Sequence, residues 1–279
     1  MISRLLKGLS YFSAIIILVI FAGMVFFLMS GAWPAMKHLS FTQWLLGSTW
    51  LPSAGQYSLL PMILTSIVLG FGSLLLCMVF SIIVSILFSQ YTSPFWKKKM
   101  YSLLKILAAI PSVVYGLWGL EHLLPVLSIF HDPAHGYLVG IMVLTVMTVP
   151  SAILILISSF DSIPQKIWDE AASLGMSKIA TFMAVIWPRS FSAMKAAGVI
   201  SFLRAIGETI AVMLVTGNIV QFPTHPFLPV RALTANIALG MGFATELHRS
   251  VLFLSAALLM IFVFLFMYYL EKLMGRKNA

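Results

Sequence analysis

The sequence predicts an all-α, polytopic integral membrane protein with six transmembrane helices, and three observations carry that reading. Hydrophobic residues make up 61% of the 279 and charged residues only 9%, too little charge to hydrate the surface of a soluble domain this large. Apolar runs of spanning length recur along the chain. The basic residues flank these runs unevenly, as topology signals do.

The elements follow in order. Residues 11–29 form an apolar run preceded by Arg4 and Lys7, longer than the core of a cleaved signal peptide and so a retained first helix. From Gly31 to Tyr57 the chain carries Trp33, Pro34, Trp44, Trp50 and Pro52, interfacial aromatics and turn formers that predict a loop on the bilayer surface. Residues 59–89 are a second span, long enough that it must tilt or project, and its end meets Lys97, Lys98 and Lys99, which marks a cytoplasmic side. The third span, 103–127, contains Pro111, Gly116 and Gly119. Proline cannot donate its backbone bond, so this span bends or unwinds at Pro111 and Ser112. Residues 137–160, with Pro150 inside, are the fourth span, 196–220 the fifth and 250–270 the sixth.

Six spans put both termini on one side. With that side cytoplasmic, only Lys37, Arg231 and Arg249 of the 17 Lys and Arg residues fall outside, and Arg204 lies within a span. The domain organisation is one membrane domain: residues 1–58 as a first helix and short extracytoplasmic loop, then 59–279 as a core of five spans with a cytoplasmic loop at 161–193. The net charge of +9 is thereby a topology signal, not a nucleic-acid surface. The single cysteine, Cys77, excludes a disulfide framework or a cysteine-based zinc site within one chain. The sequence holds no Gly-x-x-x-x-Gly-Lys-[Ser/Thr], Gly-x-Ser-x-Gly or His-Glu-x-x-His, so no catalytic residue, metal or cofactor is expected. His131, Asp132 and His135 have ligand-like spacing, but Pro133 interrupts it and they read as loop polars. His248 beside Glu246 reads as a span-entry residue.

Two regions carry candidate function. In the 161–193 loop, Ser162-Ile163-Pro164-Gln165 predicts a helix start with Ser162 as cap and Gln165 completing a capping box. Ile163, Ile167, Ala171 and Leu174 form one apolar stripe, Gly175 ends the helix, and Ser177 starts another that Pro188 limits. Such a hinged pair is a knob for a partner's groove or an amphipathic hairpin on lipid. In the fifth span, Arg204 and Glu208 are four apart and share one helical face. An intramembrane arginine with its forked donors suits an oxyanion in a watery path. Glu208 would neutralise it between events, and Gly207 would allow close backbone approach. The alternative is a salt bridge that locks helices together.

Glu170-Ala171-Ala172, Gly175 and Ile186-Trp187-Pro188 resemble the EAA loop of ABC-importer permeases, with Trp187 in place of the commoner leucine. Arg204-Ala205-Ile206-Gly207-Glu208-Thr209, continuing to Gly217-Asn218, is similar to the fifth-span signature of phosphate permeases of the PstC type. Ile110 to Gly119, Leu233 to Ala238 and His248-Arg249 resemble the same group. The resemblance implies a type I ABC importer (MetI-like) permease fold in the bacterial inner membrane, carrying inorganic phosphate past Arg204, Gly207, Glu208 and Thr209. It implies Pro111, Ser112 and Gly116 as a helix break, and Glu170, Ala171, Ala172, Gly175 and Pro188 as the ATPase-coupling loop. The implied partners are a PstA-type permease, a PstB-type ATPase dimer and a PstS-type phosphate-binding protein, with no enzymatic activity in this chain. Leu64-Thr65 stands where the family usually has Gly-Thr, Gln90 where a glutamate is common, and the first loop is short. These departures keep sulfate, molybdate or tungstate as alternative cargo. A rival of another class, an intramembrane enzyme using Arg204 and Glu208 on a lipid phosphate, lacks a second acid, nucleophile or metal set.

Overall fold

The structure, a computed structural model, describes residues 2–275. Arg276, Lys277 and the side chain of Arg4, counted above among the cytoplasmic charges, lie outside what is described. Among the described residues the chain is helical without strands; its β-type pairings are the single bridges Leu51 to Gln56 and Gly217 to Val230. Four helices are long and apolar enough to cross a membrane: α1 (Ile2–His38), α2 (Leu60–Tyr91), α6 (Tyr137–Asp161) and α13 (Glu246–Gly275). A bent pair, α3 (Pro94–Ala109) followed by α4 (Ser112–Trp118), a π turn (Gly119–Leu123) and α5 (Leu124–Ser128), is long and apolar enough only when its two arms are taken together. The expected fifth span, 196–220, is not formed as one continuous helix. In its place α10 (Phe191–Ile206) stops at Gly207, and α11 (Ile210–Val215) resumes after Thr209.

Two compact units divide the chain. In the first, residues 1–60 with 236–262, α1 extends past the point where a surface loop was expected at Gly31. Proline at 34 removes one backbone donor and normally breaks a helix. Here the Ser250 hydroxyl accepts from the Ala35 amide at 2.8 Å and donates to the Gly31 carbonyl at 2.8 Å, bridging the opened turn. Ala32 and Ala35 are buried there, and Phe27 meets Phe253 edge-on at 5.3 Å. Trp33 and Pro34 are therefore helical. The loop begins after His38, and Trp44 is buried within it.

The second unit, residues 61–235 with 263–279, is built on small residues along one face of α2. Ser66, Gly70, Ser73, Cys77 and Ser81 are buried and let neighbours approach closely, the usual device where lipid supplies no hydrophobic drive between helices. A Cβ on Gly70 would come within 2.9 Å of the Phe202 ring of α10. Cys77 lies 3.5 Å from the Ser201 hydroxyl of α10, and Ser81 donates to the Val149 carbonyl of α6 at 3.5 Å. The predicted break at Pro111 is present: the segments on either side meet at 91°. After the bend α4 lies against α11 so closely that a Cβ on Gly116 would sit 2.7 Å from the Ala211 Cα.

Candidate functional site

The break in the fifth span decides the geometry around Arg204. Gly207 keeps near-helical angles, but Thr209 departs to φ −114° and ψ −59°, so the four-residue register is lost between Arg204 and Glu208. The expected charge pair is absent: among the described residues Arg204 has no hydrogen-bond or ion-pair partner. Glu208 turns the other way. Its Oε1 accepts from the Ala211 amide at 3.2 Å, capping the start of α11, and its backbone carbonyl accepts from the Thr234 hydroxyl at 2.8 Å. Thr234 opens α12 (Leu233–Gly240), which is fixed in turn by the Leu233 amide donating to the Ser66 hydroxyl at 2.9 Å. The Thr209 hydroxyl donates to the Gly207 carbonyl at 3.4 Å. Arg204 is thus a half-buried guanidinium whose five donors remain available, beside backbone that has left the helix.

Tyr115 feels the charge of Arg204, and further contacts fix the segments that follow in the chain. Tyr115 is buried on α4, and its hydroxyl reaches back across the Pro111 bend to the Leu107 carbonyl at 2.8 Å. At the far end of α11, Gly217 and Asn218 both take left-handed backbone, at φ 78° and 56°. The Asn218 carbonyl accepts from Arg231 Nε at 2.7 Å. Burial holds the Arg231 pKa below its ordinary value, although a guanidinium stays protonated at working pH. His131 stacks on Phe227 at 4.7 Å, and His135 Nδ1 lies 3.4 Å from the Val215 carbonyl.

The 161–193 loop folds as two hinged helical pieces. The first, α7 (Gln165–Ser173), starts at Gln165 without the predicted capping box; Pro164 holds the cap position, and the Ser162 hydroxyl donates to the Ser159 carbonyl instead. Proline at that position pre-sets φ, and α6 continues far enough to claim Ser162. Gly175 has φ 75°, the left-handed end expected of it. Ser177 caps α8 (Lys178–Thr181), accepting from the Ala180 amide at 3.2 Å. Pro188 does not limit this helix. A π turn (Phe182–Ile186) comes first, in which the Trp187 amide donates to the Phe182 carbonyl, and α9 (Trp187–Arg189) then carries Pro188 inside. The wider turn leaves no i−4 partner for the proline to displace. The same device precedes Pro125, where the Leu124 amide donates to the Gly119 carbonyl.

The predicted apolar stripe is divided. Ala171 is buried, and Ile163 and Trp168 pack on the core, whereas Leu174 is 80% exposed, with Ile179 and Met183 at 61% and 57%. Glu170 is 63% exposed and faces Lys166 at 3.8 Å, a solvated pair of little energetic weight. Between the hairpin and the ends of α2 and α6 lies a cavity of about 430 Å³, lined in part by Gln90, Lys97, Asp161, Trp168, Asp169 and Lys178.

Residues 81–278 match the family described as Binding-protein-dependent transport system inner membrane component. The chain belongs to that family. Among similar relatives, the Probable ABC transporter permease protein YqgH of Bacillus subtilis (strain 168) is 30% identical over 263 residues, 92% of this chain and 83% of the relative. The phosphate transport system permease protein PstC of Mesorhizobium japonicum is 25% identical, covering 96% of this chain and 88% of its own. That of Haemophilus influenzae is 26% identical, covering 90% and 86%. Two solved structures share the fold. An inward-facing MetNI methionine ABC transporter has a TM-score of 0.60 at 16% identity, over 76% of this chain and 92% of that one. An amino acid ABC transporter with histidines has 0.57 at 15%, over 77% and 92%.

This binding-protein-dependent inner membrane component is therefore an all-α, multi-pass inner membrane protein with a MetI-like fold. Both candidate regions fall inside the matched 81–278 stretch. Sequence reasoning missed three features of this family member. Ser250 carried no signal, because a hydroxyl that spans a kink is indistinguishable from any other serine. The π turn before Pro188 was hidden behind a proline that read as a stop. The cavity beneath α7 draws its polar lining from five separate helices, α2, α3, α6, α7 and α8, which no local pattern connects.

Proposed function

We propose that this chain is the transmembrane permease subunit of an ATP-binding-cassette importer that carries inorganic phosphate across the cytoplasmic membrane. One observation carries the reading: Arg204, within the hydrophobic thickness, keeps its donors uncommitted because the chain breaks at Gly207 and sends Glu208 to cap α11. A buried cation without a fixed partner is costly in lipid unless water or a passing anion attends it. The names of the PstC relatives support phosphate as that anion.

In this reading Arg204 meets the anion, Gly207 and Thr209 shape the break, and Glu208 holds α11 in place. Pro111, Ser112 and Gly116 let α4 fold against α11. Residues 59–279 act as the permease core and 1–58 as an added helix, in keeping with a family match that begins at residue 81. The bent α3–α5 segment and the broken α10–α11 segment each count as one crossing. That gives six, with both termini cytoplasmic. Glu170, Ala171, Ala172, Gly175 and Pro188 belong to a knob that docks on a separate ATPase dimer. A second, PstA-type permease and an extracytoplasmic phosphate-binding protein complete the assembly, and the relative named as a PstA homolog in Mycoplasma pneumoniae supports the pairing. ATP binding closes the dimer, moves the knob and switches the bundle between inward- and outward-facing states.

The test is uptake of labelled phosphate by the reconstituted complex, with and without ATP. The wild-type complex accumulates label only with ATP, and Arg204→Ala abolishes accumulation while the complex still assembles. Normal uptake by Arg204→Ala refutes the role of this arginine. Stronger competition by unlabelled sulfate, molybdate or tungstate than by phosphate changes the cargo and leaves the permease role intact.

A further inference from the structure

Two cavities adjoin where the α7–α8 hairpin lies against the bundle, and their linings differ in kind. The larger, about 430 Å³, carries charges of both signs in its wall: Lys97 and Lys178, Asp161 and Asp169. The smaller, about 330 Å³, is walled chiefly by apolar side chains, among them Ile86, Leu87, Ile179 and Met183. Gln90 lines both. The charges are not spent on one another. Among the described residues, the side chains of Asp161 and Lys178 have no ion-pair or hydrogen-bond partner. Asp161 closes α6, the end at which a helix disfavours a carboxylate, so its own helix does not account for it. Lys97 gives one of its three donors to the Ser89 carbonyl at 2.9 Å, and Asp169 accepts one bond from Gln165 at 3.3 Å. Both keep hydrogen-bonding capacity in reserve. Leu87, Ile179 and Met183 are each more than half exposed, so the smaller cavity opens outward. Phe95 and Trp96, also exposed, precede Lys97, Lys98 and Lys99. Aromatic rings followed by cations mark the headgroup level of a bilayer.

We propose that the joined cavities hold one phospholipid with a zwitterionic, primary-ammonium headgroup, phosphatidylethanolamine. Its headgroup occupies the larger cavity and part of one acyl chain the smaller. The lipid phosphate accepts from Lys97 and Lys178, and the ammonium donates to Asp161 and Asp169, charge-assisted bonds at both ends of the headgroup. An anionic headgroup without an ammonium satisfies the lysines and leaves two carboxylates facing a like charge. A choline headgroup carries the right charges but has no N–H to donate. Apolar side chains beside the headgroup level offer the acyl chain the contact that water cannot. The proposal needs only the membrane setting of the chain and stands apart from the importer reading and its cargo.

The experiment places the full chain, alone and in its complete complex, in phosphatidylcholine vesicles with a trace of phosphatidylethanolamine bearing a photoreactive acyl chain. Cross-linked peptides are then mapped by mass spectrometry. Label is expected on residues 86–91 and 179–183. Exchanging half of the host lipid for unlabelled phosphatidylethanolamine should lower it about threefold, the scale set by exposed ion pairs, and exchange for phosphatidylglycerol should leave it unchanged. Asp161→Asn combined with Asp169→Asn is expected to abolish that preference, and Lys178→Gln to weaken capture. If a variant fails to fold, the lipid exchange on the wild-type chain decides. Label spread over every lipid-facing helix, or equal loss with phosphatidylglycerol, overturns the proposal. So does displacement by free inorganic phosphate, which makes the larger cavity a plain anion site. Label present on the chain alone and absent from the complete complex assigns this face to another subunit, and overturns it too.

Discussion

Glu208 illustrates how a single residue changes role when the backbone under it changes. Read along an unbroken helix, it stands one turn above Arg204 and must neutralise it. In the structure its Oε1 accepts the Ala211 amide at 3.2 Å, satisfying a donor that the start of α11 would otherwise leave bare. A carboxylate and a carboxamide can both accept there, and a methyl group cannot. Glu208→Gln is therefore expected to keep the thermal stability of the purified permease near wild type, and Glu208→Ala to lower it by about 1 kcal/mol, the usual worth of a cap. Equal losses in a thermal-shift assay of the two variants would show that charge, not capping, is what the position needs. The same residue-scale logic applies to Ser250, whose hydroxyl bridges the Ala35 amide and the Gly31 carbonyl beside Pro34.

At the scale of elements, breaks are as informative as helices. Pro111 marks a 91° bend between α3 and the α4–α5 arm, and α4 lies on α11, where Gly116 meets the Ala211 backbone. A side chain there has no room. Gly116→Val should destabilise the subunit by about 1–3 kcal/mol, as overpacking of a tight contact does, read as a lower yield of folded permease and a lower melting temperature in detergent. An unchanged yield and melting temperature would mean that α4 and α11 can separate without cost. The π turns before Pro125 and Pro188 belong to this scale as well: each admits a proline without ending the helical run. In the 161–193 loop that continuity carries the hairpin on toward α10.

For the whole molecule, the direction of insertion is the property everything else depends on. The bias of Lys and Arg to one side predicts cytoplasmic termini, and it can be tested without any assay of transport. In a Cys77→Ser background, single cysteines replacing Lys37 and Lys166, both exposed, should label oppositely in intact cells. An impermeant maleimide added outside reacts at position 37 and reaches position 166 only after the membrane is opened. The reverse pattern would invert the topology and place the 161–193 hairpin where no ATPase could meet it. The most apolar stretch of α1 is unburied by the rest of the chain, so its outer surface is left to lipid or to another subunit.

The fold class, the membrane setting, the break at Pro111 and the left-handed turn at Gly175 were legible in the sequence. Each depends on something local: apolar length, a missing backbone donor, or a glycine at the end of an amphipathic run. The α7–α8 hairpin was legible too, though not its capping or its true end. What only the tertiary structure decided is how the charges and kinks are satisfied. Arg204 and Glu208 part company because the helix ends at Ile206 and resumes only after Thr209, and whether a helix continues past such a point depends on distant partners such as Thr234 and Ser250. A hydrogen bond between residues far apart in the chain leaves no periodic trace, and packing alone selects it.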